Sequence, residues 1–115
     1  MTNDCLFCGI VAGEIPATVV HETPTTLAFR DINPQAPTHV VVVPKAHHAD
    51  AAELGAADPA LAGELLQAAA AVAEQESIVE SGYRLVFNTG PGAGQTVLHA
   101  HLHLLGGRRL TWPPG

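Results

Sequence analysis

Three histidines stand two residues apart near the C terminus, at 99, 101 and 103 of the string VLHAHLHLL that runs from Val97 to Leu105. The string alternates with the period of a strand, so the three imidazoles are expected on one face, about 6.6 Å from one to the next. Ala100, Leu102 and Leu104 then take the other face and belong to the core. Such a row can hold a metal. Alternatively, one ring can act as a neutral nucleophile while its neighbours orient it and handle charge and protons. A His-rich exposed strand with no function accounts for one such residue, but not for three in register followed by Gly106-Gly107. Immediately upstream lies Gly90-Pro91-Gly92-Ala93-Gly94-Gln95-Thr96. Glycines let backbone N–H groups approach an anion closely, and Thr96 adds a hydroxyl. A loop of this kind alone is commonly a simple turn. Beside the histidines it points to a phosphate held against an imidazole, where reaction at phosphorus needs mainly positioning and charge stabilisation.

A second chemical pair is Cys5-x-x-Cys8, which reads as a zinc half-site or a redox motif. No strand–motif–helix context of the thioredoxin kind surrounds it. Two cysteines are too few for a disulfide-rich secreted scaffold.

The elements that must carry these residues follow from patterning. A helical turn is expected over Cys5–Ala12, closed by Gly13 and Pro16. Strands are expected at Thr18–Glu22 and Thr25–Asp31, joined by a Thr23-Pro24 turn, and at His39–Val43, whose apolar β-branched run is that of a central, buried strand. Asn33–Pro37 is a loop by its prolines. A brief helix over Ala49–Leu54 should stop at Gly55. Asp58-Pro59 is a cap followed by proline at the first helical position, opening a long helix to about Ser77 with Leu61, Leu65 and Val72 on one stripe. Tyr83–Asn88 and Val97–Leu105 complete five strands, and Arg108–Gly115 is an irregular tail. The expected fold class is α+β: an antiparallel five-stranded sheet with one long and one or two short helices, in a single domain over 1–115.

Composition bounds the function. At 115 residues and 47% hydrophobic, the chain can bury a core without staples. Eleven acidic residues against five basic give a net charge of −6, which argues against a broad nucleic-acid surface. A compact site for one nucleotide stays open, since amides and helix ends bind phosphate without basic residues. No apolar run is long enough to span a bilayer, and MTNDCLFCGIVAGEIP carries no signal-peptide pattern, so the expected location is cytoplasmic with no membrane partner.

The string from His99 to Leu105 resembles the signature of the histidine-triad (HIT) superfamily, His-x-His-x-His-x-x with apolar x. Ala28–His39 (AFRDINPQAPTH), Val43–His47 (VPKAH), Gly82-Tyr83-Arg84, Gly94-Gln95 and the ending Trp112-Pro113-Pro114-Gly115 are similar to its HINT branch, in order and over nearly the whole chain. The resemblance implies a HIT-like fold and a homodimer whose sheets join into ten strands. The tail bearing Trp112 would cross to the other protomer. It also implies a purine nucleoside phosphoramidase, which cleaves the P–N bond of adenosine or guanosine 5′-monophosphoramidates and releases AMP or GMP. By position, His101 would be the nucleophile and become a nucleotidyl-histidine. His103 would hydrogen-bond the phosphate, with the amides of Gly94, Gln95 and Thr96 completing a cradle, and no catalytic cofactor would be required. Thr96 stands where the branch usually has serine. Asp31 would accept from the ribose hydroxyls, Phe29 and Ile32 would line the base pocket, and Asn88 would sit near the ribose and phosphate. For Phe29 and Ile32 plain core packing is the competing account, and for Asp31 a loop cap.

In some bacterial relatives, the resemblance further implies, such a cysteine pair binds structural zinc with two histidines, here Cys5, Cys8, His47 and His99. His99 has a competing role, a hydrogen bond to His39 in a relay that supports His101; with two ring nitrogens it could serve both. His21 and His48 are expected at the surface, as are Arg108 and Arg109. Three other functions stay open: dinucleoside polyphosphate hydrolysis, nucleotide-binding regulation with incidental catalysis, and metal chemistry on the three histidines.

Overall fold

The computed structural model describes residues 5–115; the part of the leader reading that rests on residues 1–4 lies outside them. Five strands form one antiparallel sheet: β1 (Val19–Glu22), β2 (Thr26–Arg30), β3 (Thr38–Pro44), β4 (Tyr83–Phe87) and β5 (Leu102–Gly106), in the order β1-β2-β3-β5-β4. Three helices accompany it: α1 (Leu6–Val11), α2 (Ala51–Ala57) and α3 (Pro59–Gln75). Among the described residues no helix is long and apolar enough to cross a membrane.

The central strand β3 is buried along its whole length, as its uninterrupted apolar run demands. Its two faces serve different layers. Val40 and Val42 join Leu102 and Leu104 against Leu61, Leu65, Ala69 and Val72 of α3. Val41 and Val43 join Leu27 and Phe29 of β2 against Phe7 of α1. The register that pairs Val41 with His103 and His39 with Leu105 sets both histidines on this second face. His39 and His103 therefore sit on the face opposite the long helix.

The caps behave as the residues dictate. The Asp58 carboxylate accepts from the Leu61 amide at 3.1 Å and Pro59 opens α3. Gly55 does not stop the short helix. Asp50 caps it by accepting from the Glu53 amide at 2.9 Å, so α2 runs two to three residues later than its composition suggests and ends at Asp58.

The largest departure concerns the histidine string. Only Leu102–Gly106 is strand; residues 97–101 are irregular. The Ala100 amide donates to the His48 carbonyl at 2.7 Å, and the His99 carbonyl is taken by a side chain, so these groups are not available to a ladder. Alternation was present without the pairing that makes a strand. β5 ends at Gly106; Gly107 follows with a φ of +85° that suits glycine, and a Cβ there would lie 2.9 Å from Pro37.

Candidate active site and metal centre

The three histidines do not share a face. His99 turns into a cluster with the two cysteines. His101 and His103, with ring centroids 5.0 Å apart, line a cavity of about 460 Å³. The geometry therefore does not support a metal held by all three.

The hydrogen bonds determine where the protons sit. His101 Nδ1 lies 2.7 Å from the His99 carbonyl, which can only accept, so Nδ1 carries the proton and Nε2 keeps a bare lone pair. The Gln35 amide donates to His39 Nδ1 at 3.0 Å, so His39 carries its proton on Nε2. That Nε2–H lies 2.9 Å from His103 Nδ1 and donates to it, which leaves His103 with Nε2–H as its remaining donor. Adjacent rings of one motif thus present opposite functions: a lone pair on His101 and a donor on His103. Burial pushes the His103 pKa down to about 4, helped by the neighbouring His101 and His39 rings and opposed by Asp31. Burial also lowers His39, again against the pull of Asp31. Both rings are neutral near pH 7, as the proton chain requires.

This corrects the expected relay. His39 bonds His103, not His99. Both nitrogens of His99 are engaged elsewhere, Nε2 with the Pro44 carbonyl at 2.8 Å and Nδ1 with the cluster.

Asp31 follows β2, and its carboxylate divides its work. Oδ1 accepts from the Asn33 amide at 2.8 Å, the loop cap weighed above, while Oδ2 lies 3.3 Å from His39 Nε2 at the cavity. Asp31, His39 and His103 each offer one atom within 4.8 Å of the others, as a metal site would. Because the Gln35 amide occupies the Nδ1 lone pair, Nε2 of His39 is protonated and serves as a donor, not as a ligand.

The apolar half of the cavity is built from both sides. Phe29 is only 4% exposed and packs edge-on against Phe7 at 5.5 Å, so it is core and wall together. Ile32 is 100% exposed at the rim, which excludes core packing for that residue. Leu6, Phe7 and Ile10 of α1 supply the facing wall, which the sequence reading missed. Their i, i+1, i+4 spacing next to the cysteines was the available signal. Phe7 also packs edge-on to His101, at 4.9 Å. Arg30 lines the cavity too, but its guanidinium is held by Glu76 at 2.7 and 3.0 Å.

Asn88, Gly94 and Thr96 line the polar side. The expected three-amide cradle needs correction. The Gly94 amide already donates to the Pro91 carbonyl at 3.1 Å, and the Gln95 amide to the Gly90 carbonyl at 3.1 Å. These bonds close the turn, in which Gly90 and Gly94 have φ of +87° and +89°. Gln95 is buried and stitches the loop down. It accepts from the Gly90 amide at 2.8 Å and donates to the carbonyls of Ala49 and Val97 at 2.8 and 3.1 Å.

The second cluster lies behind His101. Cys5 Sγ is 3.4 Å from His99 Nδ1, Cys8 Sγ is 3.3 Å from His47 Nδ1 and 3.4 Å from His99 Nδ1, and the two Nδ1 atoms are 3.1 Å apart. A tetrahedral zinc with two sulfur and two nitrogen ligands needs separations of roughly 3.3 to 3.8 Å between them. The observed set is within a few tenths of that. The Pro44 carbonyl takes the Nε2 proton of fully buried His99, so its Nδ1 lone pair faces the cysteines, the outer-shell support typical of a histidine ligand. The four residues fit zinc. The His48 carbonyl accepts from the Ala100 amide, and His21 sits half-buried in β1.

The chain is similar to known proteins over nearly its whole length. A model of the HIT domain matches residues 12–110. A 14 kDa zinc-binding protein of Zea mays is 49% identical over 112 residues, covering 96% of this chain and 87% of that protein. The purine nucleoside phosphoramidase of Escherichia coli K12 is 43% identical over 110 residues, covering 96% of this chain and 92% of that protein. The crystal structure of a HIT family hydrolase from Legionella pneumophila superposes with a TM-score of 0.94 at 55% identity, covering 97% of this chain and all of that one.

Proposed function

Because the chain belongs to the HIT domain family, we propose that it is a hydrolase of purine nucleoside 5′-monophosphoramidates that works through His101. The observation that carries this reading is the bare Nε2 of His101, its tautomer set by the 2.7 Å bond to the His99 carbonyl, at a cavity with one apolar and one polar half. The purine would lie between Phe29 and Ile32 on one side and α1 on the other, where apolar walls accept adenine or guanine alike. Asp31 Oδ2 would accept from the ribose, with Asn88 beside it.

His101 Nε2 then attacks the α-phosphorus in line with the P–N bond. The new N–P bond forms as the amine leaves, carrying a proton passed to it from solvent through the Thr96 hydroxyl. His103 Nε2–H donates to a non-bridging oxygen, and the Gln35–His39–His103 chain holds that donor in place. Water attacks the nucleotidyl-histidine, releasing the nucleoside monophosphate and restoring neutral His101. Zinc bound at Cys5, Cys8, His47 and His99 would supply a structural cross-link, since four protein ligands complete a tetrahedral shell. The homologous zinc-binding protein of Zea mays supports that assignment.

Adenosine 5′-monophosphoramidate, or an adenosine phosphoramidate of tryptamine, tests the reading. Wild type should turn it over, and His101→Ala should lose on the order of 10³-fold or more in kcat. Full activity in His101→Ala would overturn it, and faster cleavage of a diadenosine polyphosphate would reassign the substrate.

A further inference from the structure

Helix α1 belongs to two sites at once. Cys5 at its N-cap and Cys8 in its first turn enter the Cys5–Cys8–His47–His99 cluster, while Leu6, Phe7 and Ile10 line the cavity. Phe7 lies between the cysteines in sequence and among the working rings in space: edge-on to His99 at 6.0 Å, to His101 at 4.9 Å and to Phe29 at 5.5 Å. At six residues α1 is too short to hold its shape through its own backbone bonds, so its position depends on what its side chains grip. A second connection runs through His99, whose Nδ1 faces the cysteines while its carbonyl accepts from His101. One residue thus joins the cluster to the ring that presents the bare nitrogen.

We propose that the Cys5–Cys8–His47–His99 cluster is an affinity-setting part of the nucleotide site, so that a metal held there and a purine nucleotide in the cavity strengthen each other's binding. This rests on the reading that the cavity takes a purine nucleotide. A clamp on α1 fixes one wall of the base pocket before the nucleotide arrives, which removes an ordering cost from binding. Reciprocity then requires the nucleotide to tighten the metal by the same factor. A staple that only added global stability would produce neither effect in the folded protein.

The test uses the full chain, zinc and AMP. The dissociation constant of AMP is measured by calorimetry on zinc-loaded and chelator-stripped protein, and that of zinc by chelator competition with and without saturating AMP. Both ratios should be about fivefold or more and equal to each other. Amide exchange should rise in α1 on stripping while β3 and β5 stay protected. Ratios within twofold, with AMP and zinc both bound, overturn the coupling and leave the proposed function standing. Failure of AMP and GMP to bind the zinc-loaded chain removes the nucleotide reading, and the coupling with it. If stripping unfolds the chain, cobalt-loaded protein decides: AMP should shift the thiolate-to-cobalt absorption bands, and binding without a shift overturns the proposal.

Discussion

His101 and His103 are two positions apart and chemically identical, yet the backbone assigns them opposite tasks. A carbonyl at Nδ1 makes one a lone-pair donor, and a chain of N–H groups starting at Gln35 makes the other a proton donor. The residue types and their spacing were legible in the sequence, and Asp31, Ile32, Asn88 and Thr96, which the resemblance pointed to, all line the cavity. The partner of His39 was not, because it depends on which nitrogen each ring spends on the backbone. The depressed pKa of His103 gives a test of this environment. A free histidine takes a proton near 6.5, whereas folded His103 does so only near 4. Between those values the unfolded chain binds a proton that the folded chain refuses. The stabilising contribution is therefore full above about pH 6.5 and is lost as pH falls towards 4. Chemical denaturation should show stability falling over that window, with a shallower slope in His103→Gln. An unchanged slope would mean that His103 titrates normally in the fold.

At the scale of elements, the five strands and the cap at Asp58 follow from short-range chemistry, while β5 shows where periodicity misleads. Residues 97–101 alternate as a strand would, but the buried His99 side chain is drawn to Cys5, Cys8 and His47 and the neighbouring backbone bonds to His48 and His101. Tertiary demands outweighed the local pattern. The glycine-rich loop was recognisable, but two of the three amides expected to face a phosphate, those of Gly94 and Gln95, close the turn instead. Gln95, read as a phosphate contact through its amide, is the side chain that pins that loop through three bonds. Gln95→Ala should cost about 1–3 kcal/mol and impair phosphoramidate turnover more than AMP binding to the base wall. A melting temperature and kcat both equal to wild type would show that the loop is held by other means.

At the scale of the whole molecule the fold is α+β, and the candidate site lies on the sheet face that the long helix leaves free. That separation lets α3 provide stability without touching the site: Leu65→Ala, fully buried against the sheet, should cost about 2–5 kcal/mol. Its kcat should remain near wild type at temperatures where it stays folded, and a proportionate loss of kcat would show the layers to be coupled. β4 forms an edge of the sheet, and the Arg84 guanidinium donates to the Thr111 carbonyl at 2.9 Å, so the tail leading to Trp112 lies beside that edge. Trp112 is 80% exposed in the single chain. Sedimentation should give a dimer, with the tryptophan shielded from quencher; a monomer at micromolar concentration would remove the ten-stranded sheet. Metal analysis should find close to one zinc per chain, and less than a tenth of an equivalent would contradict the cluster assignment. The covalent role proposed for His101 is tested most directly by the intact mass during turnover. Quenching the enzyme within one cycle on an adenosine phosphoramidate should reveal protein heavier by one adenylate, mapped to His101 and missing from His101→Ala. Rapid turnover with no adduct, undiminished in His101→Ala, would contradict the account.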